Sequence, residues 1–246
     1  MLSVLIMAAG LGKRMNSEIP KVLHCLNSKP MLIHIIEKCL KLNPEEIVCI
    51  VNPQYTLISQ SIEKYFDETT NQKIRYIVQD KPLGTGSAVL AAKWYFANTC
   101  KQILVLPGDV PLVKIDMLKT LWESHIKSES PATILITHLE IPTGNGRIIT
   151  DRNGHFTKIQ EEKDCSEEEK LIQTVNAGIY VFDSNILYES LPLIKNENAQ
   201  REYYLTDIFE ILHSKSYLIN TVFSSFSDSL INVNSQKDLE KAMTYS

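Results

Sequence analysis

The sequence predicts an α/β protein built on a doubly wound, mostly parallel mixed sheet, with a small antiparallel excursion in its second half. Three observations carry that expectation. The chain opens on a short continuous apolar run, Val4-Leu5-Ile6-Met7-Ala8-Ala9, followed by glycines, which is the pattern of a strand buried on both faces. As far as Leu106, apolar runs alternate with amphipathic stretches, as right-handed βαβ units require. Beyond about residue 130 strand-like segments follow one another across turns, so hairpins have joined the crossovers.

After the first strand, Met31, Ile33, Ile35, Ile36, Cys39 and Leu40 give a helix behind Pro30, and Ile47 to Val51 is the second buried run. A helix from about Gln54 to Tyr65, the strand Ile74 to Val78, a helix from about Thr85 to Asn98 and the strand Ile103 to Leu106 complete the Rossmann-like alternation. Thr133 to Leu139, Arg147 to Thr150, His155 to Gln160 and Val175 to Phe182 read as strands, the middle pair joined through the turn Asp151-Arg152-Asn153-Gly154. Helices near Tyr203–His213 and Ser235–Met243 close the fold, and Glu167-Glu168-Glu169 reads as a solvated face.

With 44% hydrophobic and 22% charged residues over 246 positions, the composition excludes disorder and coiled coil. A balance of 25 Lys+Arg against 29 Asp+Glu lacks the basic surplus that phosphate-backbone binding needs, so no nucleic-acid partner is expected. The five cysteines, Cys25, Cys39, Cys49, Cys100 and Cys165, are odd in number and scattered; they read as small core residues of a reduced cytoplasmic protein rather than a disulfide or zinc framework. No apolar run reaches the ~20 residues of a membrane span, and no basic segment precedes Leu2 to Leu11 to make it a signal peptide. Without a Pro-, Gly- or Ser-rich linker, or a hexapeptide periodicity, residues 1–246 are expected to form one domain with no membrane partner.

The chemistry concentrates at strand ends. Ala8-Ala9-Gly10-Leu11-Gly12-Lys13-Arg14-Met15 leaves the first strand as a glycine-rich turn whose backbone N–H groups suit phosphate oxygens, with Arg14 and Lys21 adding positive charge. A dinucleotide fingerprint would need a third glycine where Met15 stands, and a P-loop would need Ser or Thr where Arg14 stands. A plain turn with surface cations remains open. Asp109 lies just past the strand Ile103 to Leu106, where a carboxylate can hold Mg²⁺ or cap a turn. Gln79, at a strand end, carries an amide able to pair with one edge of a base but by itself reads as solvent-facing, Gly84 allows close backbone approach, and Asn234 can cap the last helix.

Taken together, Ala8 to Met15, Pro20-Lys21-Val22-Leu23-His24 and Lys29-Pro30-Met31-Leu32 resemble the signature of the sugar-1-phosphate nucleotidyltransferases. Gln79 with Leu83-Gly84-Thr85-Gly86, Gly108-Asp109-Val110-Pro111-Leu112, Gly146-Arg147-Ile148, Glu161-Glu162-Lys163-Asp164, Asn176-Ala177-Gly178 and Glu202-Tyr203-Tyr204-Leu205-Thr206-Asp207 keep that family's order. Essentially the whole chain is covered, and the match narrows to the uridylyltransferase domains of bifunctional N-acetylglucosamine-1-phosphate enzymes.

The resemblance implies that UTP and N-acetylglucosamine 1-phosphate give UDP-N-acetylglucosamine and pyrophosphate, with Mg²⁺ as cofactor. Rival readings are a uridylyl- or thymidylyltransferase for another hexose 1-phosphate, or a non-catalytic nucleotide-sugar-binding regulatory domain. Arg14 and Lys21 are the implied catalytic residues. Ala8, Ala9, Gly10, Gly12, Gln79, Gly84 and Thr85 would bind the nucleotide, and Asp109 and Asn234 the metal. Gly146, Glu161 and Asn176 would bind the sugar, with strand alternation turning Glu161 rather than Glu162 inward. His24 is expected to be structural. Pro107, Asn145 and Ala177 depart from the family's usual residues at positions expected to border the pocket. Because the chain carries no repeat that would build a left-handed β-helix acetyltransferase domain, a monomer or weak dimer rather than an obligate trimer is expected.

Overall fold

The apolar run at the N-terminus forms the central strand, β1 (Leu2–Met7), in which Val4, Leu5 and Ile6 are wholly buried. The computed structural model describes residues 1–10, 12–96 and 102–245. Along the chain follow the short pair β2 (Cys25–Leu26) and β3 (Lys29–Pro30), α1 (Met31–Leu40), β4 (Ile47–Val51), α2 (Thr56–Tyr65), α3 (Glu68–Asn71) and β5 (Ile74–Val78). Next come α4 (Thr85–Leu90), α5 (Lys93–Phe96), β6 (Gln102–Pro107), α6 (Ile115–Ser128), β7 (Ala132–His138), β8 (Arg147–Thr150) and β9 (Phe156–Gln160). The remainder is β10 (Thr174–Asp183), α7 (Ser184–Ser190), α8 (Asp207–Ser214), β11 (Asn220–Ser224) and α9 (Gln236–Met243).

The main sheet runs β11-β7-β10-β6-β1-β4-β5. β6, β1, β4 and β5 are parallel, β10 is antiparallel to both β6 and β7, and β11 returns parallel to β7. The β8–β9 hairpin hangs from β10 and is the antiparallel excursion the sequence predicts. Alternation of side chains sorts the core into two layers. Val4 and Ile6 face α1, α2 and α6 through residues such as Leu32, Ile36, Ile58, Ile62 and Leu118; Leu5 faces Val89, Leu187 and Phe209 of α4, α7 and α8. A third cluster, in which Met15, Leu26 and Met31 meet Val233, Leu239 and Ala242, seats α9 beside the end of β1.

This topology makes the site. The chain runs from β1 outward to β4 and β5, then returns to β6 on the other flank of β1, so the carboxyl ends of β1 and β6 form a switch point at which open α/β sheets leave a crevice. In β10 the register with β7 shifts between Asn176 and Tyr180, at Gly178 with φ 73°, and the resulting bulge re-aims Asn176.

Several expectations are corrected. β1 ends at Met7, and Ala8 and Ala9 already belong to the turn. The helix expected over Thr85–Asn98 is α4 and α5 as far as Phe96, Asn98 lying outside the described residues. The helix expected from Tyr203 starts only at Asp207, because 203–205 is pinned to the loop before α4 by hydrogen bonds given below. α6, α7 and β11 were not expected. Cys39 and Cys49 are core residues as read, but Cys25 is exposed on the rim of the β2–β3 pair and Cys165 half-buried; Cys100 lies outside the described residues. Among the described residues no helix is long and apolar enough to cross a membrane.

Candidate active site

Small residues shape the turn after β1. Ala8 N–H still donates to Ile50 O at 2.8 Å, and a Cβ built on Gly10 would meet nothing within 4 Å, so the turn opens directly into the crevice. Gly12 is needed twice: its φ is +59°, and a Cβ there would sit 2.6 Å from Lys21 Cβ. The Lys21 stem therefore lies against the turn, its backbone fixed by the short 3-10 turn Lys21–Leu23 behind Pro20.

From there Lys21 Nζ pairs with Asp109 Oδ2 and donates to Asn234 Oδ1 at 3.1 Å, joining residues 88 and 213 positions away. Backbone bonds hold the loops in place, Gly108 N–H to Met7 O at 2.9 Å and Val233 N–H to Asp109 O at 2.8 Å. The cap of α9 is Ser235, whose Oγ accepts from Asp238 N–H at 3.3 Å, while Asp238 Oδ2 accepts from Asn234 N–H at 3.0 Å. The Asn234 side chain is thereby released from capping and reaches the cleft. Asp109 is only 8% exposed, and its Oδ1 is buried without a hydrogen bond among the described residues. A buried carboxylate oxygen lacking a donor is costly and suits a cation. Among the described residues no group of three or more His, Cys, Asp or Glu is placed to hold a metal. One carboxylate and one carboxamide oxygen are nevertheless the donor set Mg²⁺ takes when phosphate oxygens and water fill its octahedron.

These groups line a cleft of 510 Å³ together with Ala9, Gly10, Gly12, Arg14, Gln79, Gly84 and Thr85. Ala8 lies buried beneath it, and Arg14 is exposed at its rim. Gln79 follows β5, is 7% exposed, and donates from Nε2 to Gly84 O at 3.2 Å, so its amide spans the loop it precedes; Oε1 accepts nothing among the described residues. Gly84, at φ +111°, comes so close to the segment around Tyr203 that a Cβ would lie 2.6 Å from Tyr203 O. Tyr203 N–H donates to Leu83 O and Gly86 N–H to Tyr203 O, both at 2.8 Å, and Thr85 Oγ1 accepts from Leu205 N–H at 3.0 Å. The segment 203–205 is zippered onto Leu83 and the residues that open α4. Glu202, which heads one of the quoted motifs but was given no site role, lines the same cleft.

The three expected sugar residues gather elsewhere. Asn176 N–H donates to Gly146 O at 2.9 Å, and a Cβ on Gly146 would stand 3.5 Å from Glu161 Oε1. Asn176 is 8% exposed, with Nδ2 donating to Tyr180 Oη at 2.7 Å and Oδ1 accepting from Gly178 N–H at 2.9 Å. Glu161 Oε1 accepts from the Thr206 hydroxyl at 2.8 Å and lines a second cavity, of 270 Å³, with Asp164, Asp207 and Glu210. Burial pushes the Glu161 carboxyl above its ordinary value despite the Thr206 donor; Asp207 is pushed up to about 6 by burial and the adjacent Glu161, Glu210 and Asp164. Glu161 and Glu162 do not alternate along a strand, because β9 stops at Gln160 and Glu162 begins a 3-10 turn; both turn inward, Glu162 onto Arg147. Of the three departures, Pro107 lines the 510 Å³ cleft, whereas Ala177 is buried in the core and Asn145 is half-buried.

Known proteins share this arrangement's fold and much of its sequence. The family model described as nucleotidyl transferase matches residues 3–228. A protein of Acanthamoeba polyphaga mimivirus named "Probable UDP-N-acetylglucosamine pyrophosphorylase" is 38% identical over 242 residues, covering 97% of this chain and 94% of its own. The bifunctional protein GlmU of Clostridioides difficile (strain 630) is 40% identical over 238 residues, covering 97% of this chain and 50% of its own, so the chain spans about half the length of that relative. A crystal structure of UDP-glucose pyrophosphorylase complexed with UDP-glucose superposes with a TM-score of 0.79 over 99% of this chain and 97% of its own at 18% identity, a likeness of fold. With the family model spanning nearly the full chain and relatives of this identity on both sides of it, the protein belongs to the nucleotidyl transferase family.

Proposed function

We propose that this chain transfers the uridylyl group of UTP to N-acetylglucosamine 1-phosphate, releasing pyrophosphate. The observation that carries the reading is the convergence of Lys21, Asp109 and Asn234, from three distant parts of the chain, at the switch point beside the glycine-rich turn. The identity to the mimivirus protein supports the uridylyl donor and the N-acetylglucosamine acceptor.

The acceptor phosphate oxygen attacks the α-phosphorus and is already ionised at neutral pH, so no side chain need remove a proton. Catalysis then consists of alignment and charge neutralisation. The open amides around Gly10 receive phosphate oxygens, and Arg14 and Lys21 meet the charge that grows on the departing pyrophosphate. Lys21 is held ready by Asp109 and Asn234, and the same two side chains would hold Mg²⁺. That ion, when bound with the triphosphate, supplies charge neutralisation between the two phosphates. Gln79 Oε1 and the backbone near Gly84 read the uracil edge, while Gly146, Glu161 and Asn176 take the sugar; for them to do so, Asn176 must exchange its internal bonds for the acceptor. The test is pyrophosphate release across UTP, dTTP, CTP, ATP and GTP with several sugar 1-phosphates. Preference for UTP with N-acetylglucosamine 1-phosphate is expected; equal rates with dTTP and glucose 1-phosphate would overturn the substrate assignment.

A further inference from the structure

Among the described residues Arg147 is the largest wholly buried side chain, 1% exposed, and the proposed chemistry leaves it unused. Its guanidinium gathers three separate stretches of backbone and side chain. Nη1 donates to Asn145 O, directly before Gly146. Nη2 donates to Glu162 Oε2 at 2.6 Å, directly after Glu161, and to Lys170 O at 3.3 Å in the next 3-10 turn. One cation thus ties the residue before Gly146 to the residue after Glu161, and Gly146 and Glu161 lie against each other. The strand register repeats the theme, with Arg147 of β8 opposite Gln160 of β9 and Val175 of β10.

We infer that the Arg147–Glu162 pair is a positioning device for the acceptor sugar, setting the separation of Gly146, Glu161 and Asn176. It rests on the reading that those three residues hold the sugar. The physical case is that neither Gly146 nor Glu161 can be aimed by its own packing alone. Glu161 follows the last residue of a strand, and its side chain is held by one hydroxyl, that of Thr206. A planar guanidinium with fixed donor directions locks both flanks at once. Loss of one partner leaves a buried charge uncompensated, so the flanks must move to hydrate it. A displacement near 1 Å is enough to cost a bound substrate up to roughly a hundredfold in rate. Among the described residues no hydrogen bond joins the pair to Lys21, Asp109 or Asn234, so nucleotide binding should not feel it.

The experiment compares Glu162→Gln, Glu162→Ala and Arg147→Lys with Glu161→Ala, reading acceptor KM, kcat, UTP affinity by calorimetry and Tm. Glu162→Gln preserves shape and one hydrogen bond and serves where Arg147→Lys folds poorly. Expected is an acceptor KM raised roughly tenfold in Glu162→Ala and less in Glu162→Gln, with UTP affinity within twofold of wild type. An unchanged acceptor KM in folded Glu162→Ala, or a parallel loss of UTP affinity, overturns the inference. Glu161→Ala separates the two layers of argument. If it also leaves acceptor KM unchanged, the sugar-site reading has failed; if it alone raises acceptor KM, that reading stands and the positioning role of Arg147 and Glu162 has failed.

Discussion

Lys21→Met isolates the charge at the centre of the cleft, because methionine keeps an unbranched stem against Gly12 and removes only the ammonium. The Lys21 and Asp109 side chains are 13% and 11% exposed, so their ion pair is not one of the surface pairs that contribute next to nothing. Removing one member of a buried pair typically costs about 3–5 kcal/mol. Here the cleft admits water to the orphaned carboxylate, which lowers the expected loss to roughly 2–3 kcal/mol. For a chain of this size each kcal/mol moves Tm by about 2–4 °C, so the ligand-free variant should melt roughly 4–12 °C lower. Turnover should fall further in relative terms: a donor aimed at charge developing on the leaving group contributes about 3–4 kcal/mol, or roughly 10²–10³-fold in kcat. Scanning fluorimetry reads the first effect and pyrophosphate release the second. A kcat within threefold of wild type would show that Lys21 is merely the counter-ion of Asp109, and an unchanged Tm would remove the ion pair from the account.

Four further outcomes follow from named contacts. Gln79→Ala frees the loop it spans and removes the proposed base reader; the KM for UTP should rise and its advantage over CTP shrink by roughly tenfold, whereas an unchanged ratio of the two would exclude Gln79 from base choice. Gly84→Ala forces a Cβ to 2.6 Å from Tyr203 O at a φ of +111°, so it should separate segments 83–86 and 203–205 and weaken UTP binding at least tenfold; wild-type affinity in calorimetry would mean that the loop yields freely. Asp207 has a pKa near 6 when folded against an ordinary carboxylate value when unfolded, so its contribution is fully present below the unfolded value and is lost as pH rises towards 6. Allowing for its partial exposure, Asp207→Asn should stabilise by about 1 kcal/mol near pH 8 and by nothing near pH 4, read as Tm; equal gains at both would contradict the burial argument. Chelation by EDTA should abolish turnover and added Mg²⁺ restore it, with Asp109→Asn costing far more than Asn234→Ala; full activity of Asp109→Asn would remove the proposed metal site.

What could be read from the amino-acid order is what local pattern determines. The run Val4 to Met7 and the glycines behind it announce a buried strand followed by a turn, and both are where the sequence puts them. α6 escaped because its buried face is thin, Met117, Leu118, Leu121 and His125 among charged neighbours, and β11 because an edge strand buries only Val222 and Ser224. Residues 203–206 looked helical but precede the helix, since the conformation of 203–205 is set by hydrogen bonds to residues 83–86 about 120 positions earlier, beyond the reach of any periodicity. The pairing of Lys21 with both Asp109 and Asn234 has the same long-range origin. Each was nameable through resemblance, but only topology brings them to one point.

The central claim is that an oxygen of the sugar phosphate becomes the bridge to the uridylyl phosphorus. Phosphorus NMR of the reaction between UTP and N-acetylglucosamine 1-phosphate carrying oxygen-18 in its phosphate tests it directly. The account predicts UDP-N-acetylglucosamine with the heavy isotope in the bridge between its two phosphorus atoms, beside unlabelled pyrophosphate. A nucleotide sugar without label in the bridge, label appearing in pyrophosphate, or no nucleotide sugar at all from the folded, Mg²⁺-supplied protein would contradict it.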